Sequence, residues 1–140
     1  MACLLRISEA ASLAIHTVVY LAAHPERLVS TKEIARVLHA SDAHLSKVLQ
    51  RLARVGLVRS IRGPHGGFTL LKAPGKIALL EVYEAIEGPI NSSVCLLEQP
   101  ACKQGRCVMG TILREIYQEV EKYLARTTIA NLKDIFASGR

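Results

Sequence analysis

The chain has no tryptophan and only 4% aromatic residues, so large rings cannot fill its interior. Half of its 140 residues are nevertheless apolar, which leaves Leu, Ile, Val and Ala to build the core, a composition that leans helical. No stretch approaches the roughly 18 consecutive apolar residues of a membrane span. The N-terminus also lacks the basic, apolar and small-residue regions of a secretory signal in that order, so a cytoplasmic chain with no membrane partner is expected. Acids are scarce in one half: residues 1–75 hold ten Lys and Arg against four Asp and Glu, whereas residues 76–140 hold eight of each. The whole formal charge of +6 therefore sits in the first half. That asymmetry points to a polyanion, nucleic acid before an anionic membrane surface, with an incidental basic surface as the plain alternative.

The local signals favour helices. Ser8 is placed to cap a helix over about 9–23 whose apolar residues cover most of its circumference, as in a buried helix. Ser30 and Glu33 form an S-x-x-E capping box before Ile34, Ala35, Val37 and Leu38. Ser41 then caps a third helix in which Leu45, Val48, Leu49 and Leu52 share one face, and Gly56 ends it. Two helices joined by so short a connection predict a helix-turn-helix. The runs 57–62 and 68–71, separated by Gly63-Pro64-His65-Gly66-Gly67, read as a β-hairpin, the wing. This turn is not a phosphate-cradling loop, because no Lys-Ser/Thr pair and no helix follow its last glycine.

Beyond Pro74-Gly75, Leu79, Val82, Tyr83 and Ile86 mark a fourth helix, with Glu81, Glu84 and Glu87 on a solvated side and Gly88-Pro89 as its end. Residues 91–110 show no periodicity, and a loop of that length is usually functional or disordered. Thr111 opens a longer helix in which Leu113, Ile116, Val120 and Tyr123 follow a coiled-coil spacing, either a dimer seam or a face packed on its own domain. Thr128 caps a last short helix through Ile129, Leu132, Ile135 and Phe136. The expected fold is mainly α with a small β-hairpin, a winged helix-turn-helix with a long C-terminal dimerisation helix. Its parts are a DNA-binding domain over 1–90, a cysteine-bearing sensor loop over 91–110, and the dimerisation and C-terminal helices over 111–140.

The run L-R-I-S near the N-terminus, G-L-V-R-S-I-R-G-P-H-G-G-F-T-L-L at the wing, and three cysteines before a long helix resemble the family of IscR and NsrR, bacterial winged-helix regulators. Some of that family carry iron-sulfur clusters. The resemblance covers nearly the whole chain and implies a homodimer that binds an inverted-repeat operator in double-stranded DNA. In such a unit the N-terminal part of the second helix enters the major groove, which makes Ser41, Ala43, His44, Ser46 and Lys47 the base-reading candidates. Arg62, beside Gly63, Pro64 and His65 at the wing tip, suits a narrow A/T-rich minor groove, and the matching arginine of the family has that role. Arg51, Arg59, Lys32 and the amides near Ser30 and Thr31 are expected on phosphates.

Cys95, Cys102 and Cys107 fit zinc ribbons poorly, because their gaps of six and four residues exceed the usual short Cys pairs. The resemblance implies iron-sulfur ligation instead. The family typically spaces these cysteines more evenly, and the histidine that IscR-like proteins place three residues after the last one is Gly110 here. Other members take a fourth ligand from the partner's first helix, which makes His16 the first candidate and Glu9 the second. Mixed Cys and His ligation would favour a two-iron over a four-iron cluster. Free or buried thiols, and a cluster-free thiol switch, remain the alternatives, and Cys3 is expected to be inert. An enzyme with Cys102 or Cys107 as nucleophile lacks a recognisable base, so no catalytic residue is expected, and a pure protein-docking module would show no salt-dependent DNA binding.

Overall fold

The computed structural model describes residues 7–90 and 95–137. Cys3 lies outside them. Among the described residues, five α-helices and a two-stranded antiparallel hairpin follow in the order α1 (Glu9–Ala23), α2 (Thr31–Leu38), α3 (Asp42–Arg54), β1 (Val58–Ile61), β2 (Gly67–Leu70), α4 (Leu79–Glu87) and α5 (Ile112–Arg126). The three predicted serine caps form: Ser8, Ser30 and Ser41 accept from the backbone N–H of Ala11, Glu33 and His44. Each satisfies one of the orphan donors that every helix start leaves bare. Gly56 follows α3 at φ +81°, the left-handed conformation expected of a helix stop.

One apolar core joins these elements. Val18 of α1, Ile34 of α2, Leu45, Leu49 and Leu52 of α3, and Val82 of α4 are all fully buried in it. Each such side chain contributes about 1.5–3 kcal/mol by leaving water. The hairpin pairs Val58 with Leu70 through Ile61 with Gly67. It is fastened to the helical core by a second pairing, in which Val29 and Phe68 exchange backbone hydrogen bonds of 3.0 and 2.8 Å. A Cβ on Gly67 would stand 2.7 Å from the Val29 carbonyl oxygen, so glycine is required for that approach.

Three local expectations change. The capping box closes by half, because the Glu33 side chain turns to Arg27 and Tyr20 instead of reaching back to its cap. The last helix is instead two 3-10 segments, Ile129–Asn131 and Lys133–Phe136. The tertiary reason is a strand-like return: Leu79 N–H donates to the Thr127 carbonyl and Ile129 N–H to the Ile77 carbonyl, both at 2.9 Å, which seats Ile129 in the core. Finally, α5 splits its apolar residues. Leu124 is buried and Val120 packs on the core, while Ile112 and Tyr123 are 45% and 48% exposed.

Candidate functional site

The connection between α2 and α3 sets the geometry of the candidate nucleic-acid interface. His39 takes the left-handed conformation at φ 55°, and Ala40 N–H bonds back to the Ala35 carbonyl at 2.9 Å. Left-handed backbone at a non-glycine residue is uncommon and turns the chain sharply. Ser41 can therefore start α3 only two residues later. Its hydroxyl oxygen serves as the cap at 3.1 Å, so this predicted base-reader keeps its hydroxyl hydrogen and one lone pair for another partner. The same holds for Ser30 at the start of α2, at 3.2 Å from the Glu33 N–H.

Along α3, Ala43 and Lys47 are exposed and His44 and Ser46 half-buried. In the wing, Arg59, Arg62, Gly63, Pro64 and His65 are all exposed, as is Lys32 on α2, while Thr31 is half-buried. Residues 43–72 contain six Lys and Arg and no acid, a run of one sign that the half-by-half charge count passed over. Arg54, exposed at the end of α3, belongs to that set and was not singled out from sequence. Arg51 is exposed as well, but its Nη2–H donates to the Ile86 carbonyl of α4 at 2.6 Å.

A charged brace holds the first two helices together. The Arg27 guanidinium makes two bonds of 2.8 and 2.6 Å to the Glu33 carboxylate, which also accepts from the Tyr20 hydroxyl at 2.7 Å. The Arg27 hydrogen bonds hold the Glu33 carboxyl down at about 2, against the cost of its burial. They push Arg27 up in turn. Tyr20 is raised first by burial and then by its bond to Glu33. This brace joins α1, the following loop and α2, and no sequence spacing announced it, because Glu33 already had a local role as the third residue of a capping box.

The sensor candidates are dispersed. Cys95 is half-buried, and Cys102 and Cys107 are exposed free thiols. Two of the three accept backbone hydrogen bonds, Cys95 from Leu97 N–H at 3.5 Å and Cys107 from Met109 N–H at 3.4 Å. Among the described residues no group of three His, Cys, Asp or Glu side chains is gathered at metal-binding distance. Thiol and imidazole donors are of the kind that ligates iron, but the described residues of one chain do not gather them. His16, which its apolar neighbours suggest as a core residue, is exposed. Its Nδ1 stands 2.6 Å from the Ser12 carbonyl, an acceptor that an Nδ1–H donor matches, so Nε2 is the ring nitrogen turned away from that contact. Glu9 is brought instead to His44, with a 3.8 Å approach between carboxylate and imidazole.

Three comparisons with known proteins bear on this arrangement. The profile of Rrf2, described as an iron-dependent transcriptional regulator, matches residues 7–135. The HTH-type transcriptional regulator NsrR of Shouchella clausii is 28% identical over 142 aligned positions, covering 95% of this chain and 94% of that one. Among solved structures, CymR, the global cysteine regulator of B. subtilis, superimposes with a TM-score of 0.77 at 29% identity, over 94% of this chain and 98% of its own. IscR of T. potens does so with a TM-score of 0.71 at 26% identity, over 94% and 88%.

Proposed function

Because the chain belongs to the Rrf2 family of transcriptional regulators and not to an enzyme family, we propose that it is a cytoplasmic homodimer that reads an inverted-repeat operator in double-stranded DNA. The observation that carries this reading is the uninterrupted basic run over 43–72, displayed on α3 and the wing with Lys47, Arg59 and Arg62 exposed. His44 and Lys47 face base edges, Ala43 packs against a thymine methyl, and Ser41 and Ser46 donate from their hydroxyls. Arg62 and the Gly63-Pro64-His65 tip occupy the minor groove. Arg59, Lys32 and the amides near Ser30 and Thr31 neutralise phosphates. No described helix is long and apolar enough to cross a membrane.

Arg62→Ala and Arg59→Ala separate these roles. Against a duplex selected by the protein from a randomised pool, Arg62→Ala is expected to cost about 1–3 kcal/mol and to relax A/T preference where the wing lands. Arg59→Ala is expected to weaken selected and random duplexes alike and to lower the salt slope by about one. Fluorescence anisotropy at several salt concentrations reads both. Identical behaviour of the two variants on both duplexes would remove the division of labour.

We further propose that Cys95, Cys102 and Cys107, with His16 or Glu9 of the partner subunit as a fourth ligand, hold an iron-sulfur cluster of two irons. When bound, such a group would supply a redox-, nitric-oxide- or iron-responsive link between the loop, α5 and the DNA-binding unit. What these residues do is bind: three free thiols, of which Cys102 and Cys107 are exposed, and a histidine whose Nδ1 lies against the Ser12 carbonyl, which leaves Nε2 as its ligand atom. Cys102→Ala or Cys107→Ala is expected to give colourless, folded, dimeric protein with altered operator affinity, and His16→Ala a labile or spectrally shifted cluster. Visible spectra and iron counts of anaerobically purified protein test this. Exposure and dispersal of the thiols favour a second reading, a cluster-free thiol switch. Wild-type protein without iron that still changes DNA affinity on mild oxidation selects that reading over the first.

A further inference from the structure

The sequence position of Arg51 suggests a phosphate contact, yet its guanidinium is turned across to α4. Ile86 lies in the last turn of that helix, where carbonyls have no later N–H to satisfy them. The one helical bond that closes the end runs from Gly88 N–H to the Glu84 carbonyl, which leaves the Ile86 oxygen for an outside donor. Ile86 is itself buried and the bond to Arg51 is partly so, which limits the access of water to this carbonyl relative to an open helix end. The negative end of the α4 dipole also lies here and favours a cation. Arg51 meets both needs at 2.6 Å, and a hydrogen bond with a charged donor is stronger than a neutral one.

One residue further on, Glu87 accepts a hydrogen bond from the Ser8 hydroxyl, the side chain that caps α1. The final turn of α4 thus fastens the start of α1 and the body of α3 together. His44 and Lys47 lie on α3 within two turns of Arg51, so a tilt of the helix about this point moves them relative to the groove. We propose that Arg51 is a positioning residue, which seats the recognition helix on the end of α4 and does not bind phosphate. The inference rests on the DNA-binding reading above and refines it: Arg51 acts on selectivity, not on charge neutralisation.

The test uses full-length wild-type protein to select duplexes from a randomised pool. Affinities for a selected and a random-sequence duplex are then measured across salt for wild type, Arg51→Ala, Arg51→Lys and Arg59→Ala. Arg51→Ala is expected to lose about tenfold on the selected duplex, the scale of one lost charge-assisted hydrogen bond, while its random-duplex affinity and salt slope stay at the wild-type level. Arg51→Lys still donates to the carbonyl and recovers most of that loss. If Arg51→Ala instead weakens both duplexes and flattens the salt slope as Arg59→Ala does, Arg51 binds phosphate and the proposal is overturned. Equal weakening on both duplexes with a lowered melting temperature and no rescue by lysine overturns it in favour of general stability. A wild type that selects no sequence brings down the DNA-binding reading, an outcome distinct from both.

Discussion

Replacing Ile112 and Tyr123 together with Asp is expected to give a folded monomer whose affinity for an inverted-repeat duplex falls on the order of a thousandfold, while binding to random duplexes falls far less. At about 100° per residue, the apolar side chains of α5 spread over an arc of roughly 140°, too wide for a single seam. Val120 and Leu124 lie toward one edge and pack on their own domain, with Leu124 buried. Tyr117, beyond Leu124 on that edge, is 44% exposed, while Ile112, Ile116 and Tyr123 lie toward the other edge, where Ile112 and Tyr123 stay exposed. That open edge is the one a second copy would cover. A monomer reaches one half-site, and the partner half-site about 34 Å away no longer adds its binding energy. Sedimentation velocity with circular dichroism checks the state and the fold. A double variant that remains dimeric and folded would place the interface elsewhere. Val120→Asp, by contrast, puts a charge against the core and is expected to unfold the chain, so it cannot report on dimerisation.

Gly66→Ala carries the other large effect, this time with the helices intact. A Cβ at Gly66 would fall 2.0 Å from the Ile61 carbonyl oxygen and 2.9 Å from the Arg62 carbonyl carbon, both backbone atoms that no rotamer change can move. Gly66 N–H also donates to the Gly63 carbonyl at 3.0 Å, the bond that closes the tip. The turn must therefore open, and Arg62 is displaced with it. Affinity for the selected duplex is expected to fall at least as far as in Arg62→Ala, about tenfold to a hundredfold. Far-ultraviolet circular dichroism should be nearly unchanged, because the core helices do not depend on the tip. Wild-type affinity in Gly66→Ala would show that the wing takes no part in recognition.

Most of the candidate interface was legible because its signals are local. A serine that caps three residues ahead, an apolar stripe within three turns and a glycine after a helix act through neighbours in sequence, so α1, α2, α3, the hairpin and α4 could all be read off. The acids of α4 were less legible: Glu81 pairs with Lys72 at 2.5 Å and Glu87 holds Ser8, so this side is more than a solvated face. His16 shows the same limit from the other direction. Its apolar neighbours left a core role open beside that of a ligand, and the helix presents it to solvent, because one residue is 100° of helix and adjacent positions need not share a face.

The sequence by itself determined the helix-turn-helix, the wing and the charge that surrounds them, since caps, periodicity and turn residues are choices made within a few residues of chain. Only the tertiary structure decided which long-range partners satisfy the groups left over. The Glu33 side chain turns from the Ser30 backbone N–H to Arg27 and Tyr20, because a bidentate charged pair outcompetes one more backbone N–H. Val29 binds Phe68, Thr127 and Ile129 return to Leu79 and Ile77, and Arg51 crosses to Ile86. In these last pairings a backbone group near an element's end lacks a partner of its own. Which distant residue supplies it depends on how the elements pack, and no spacing along the chain encodes that.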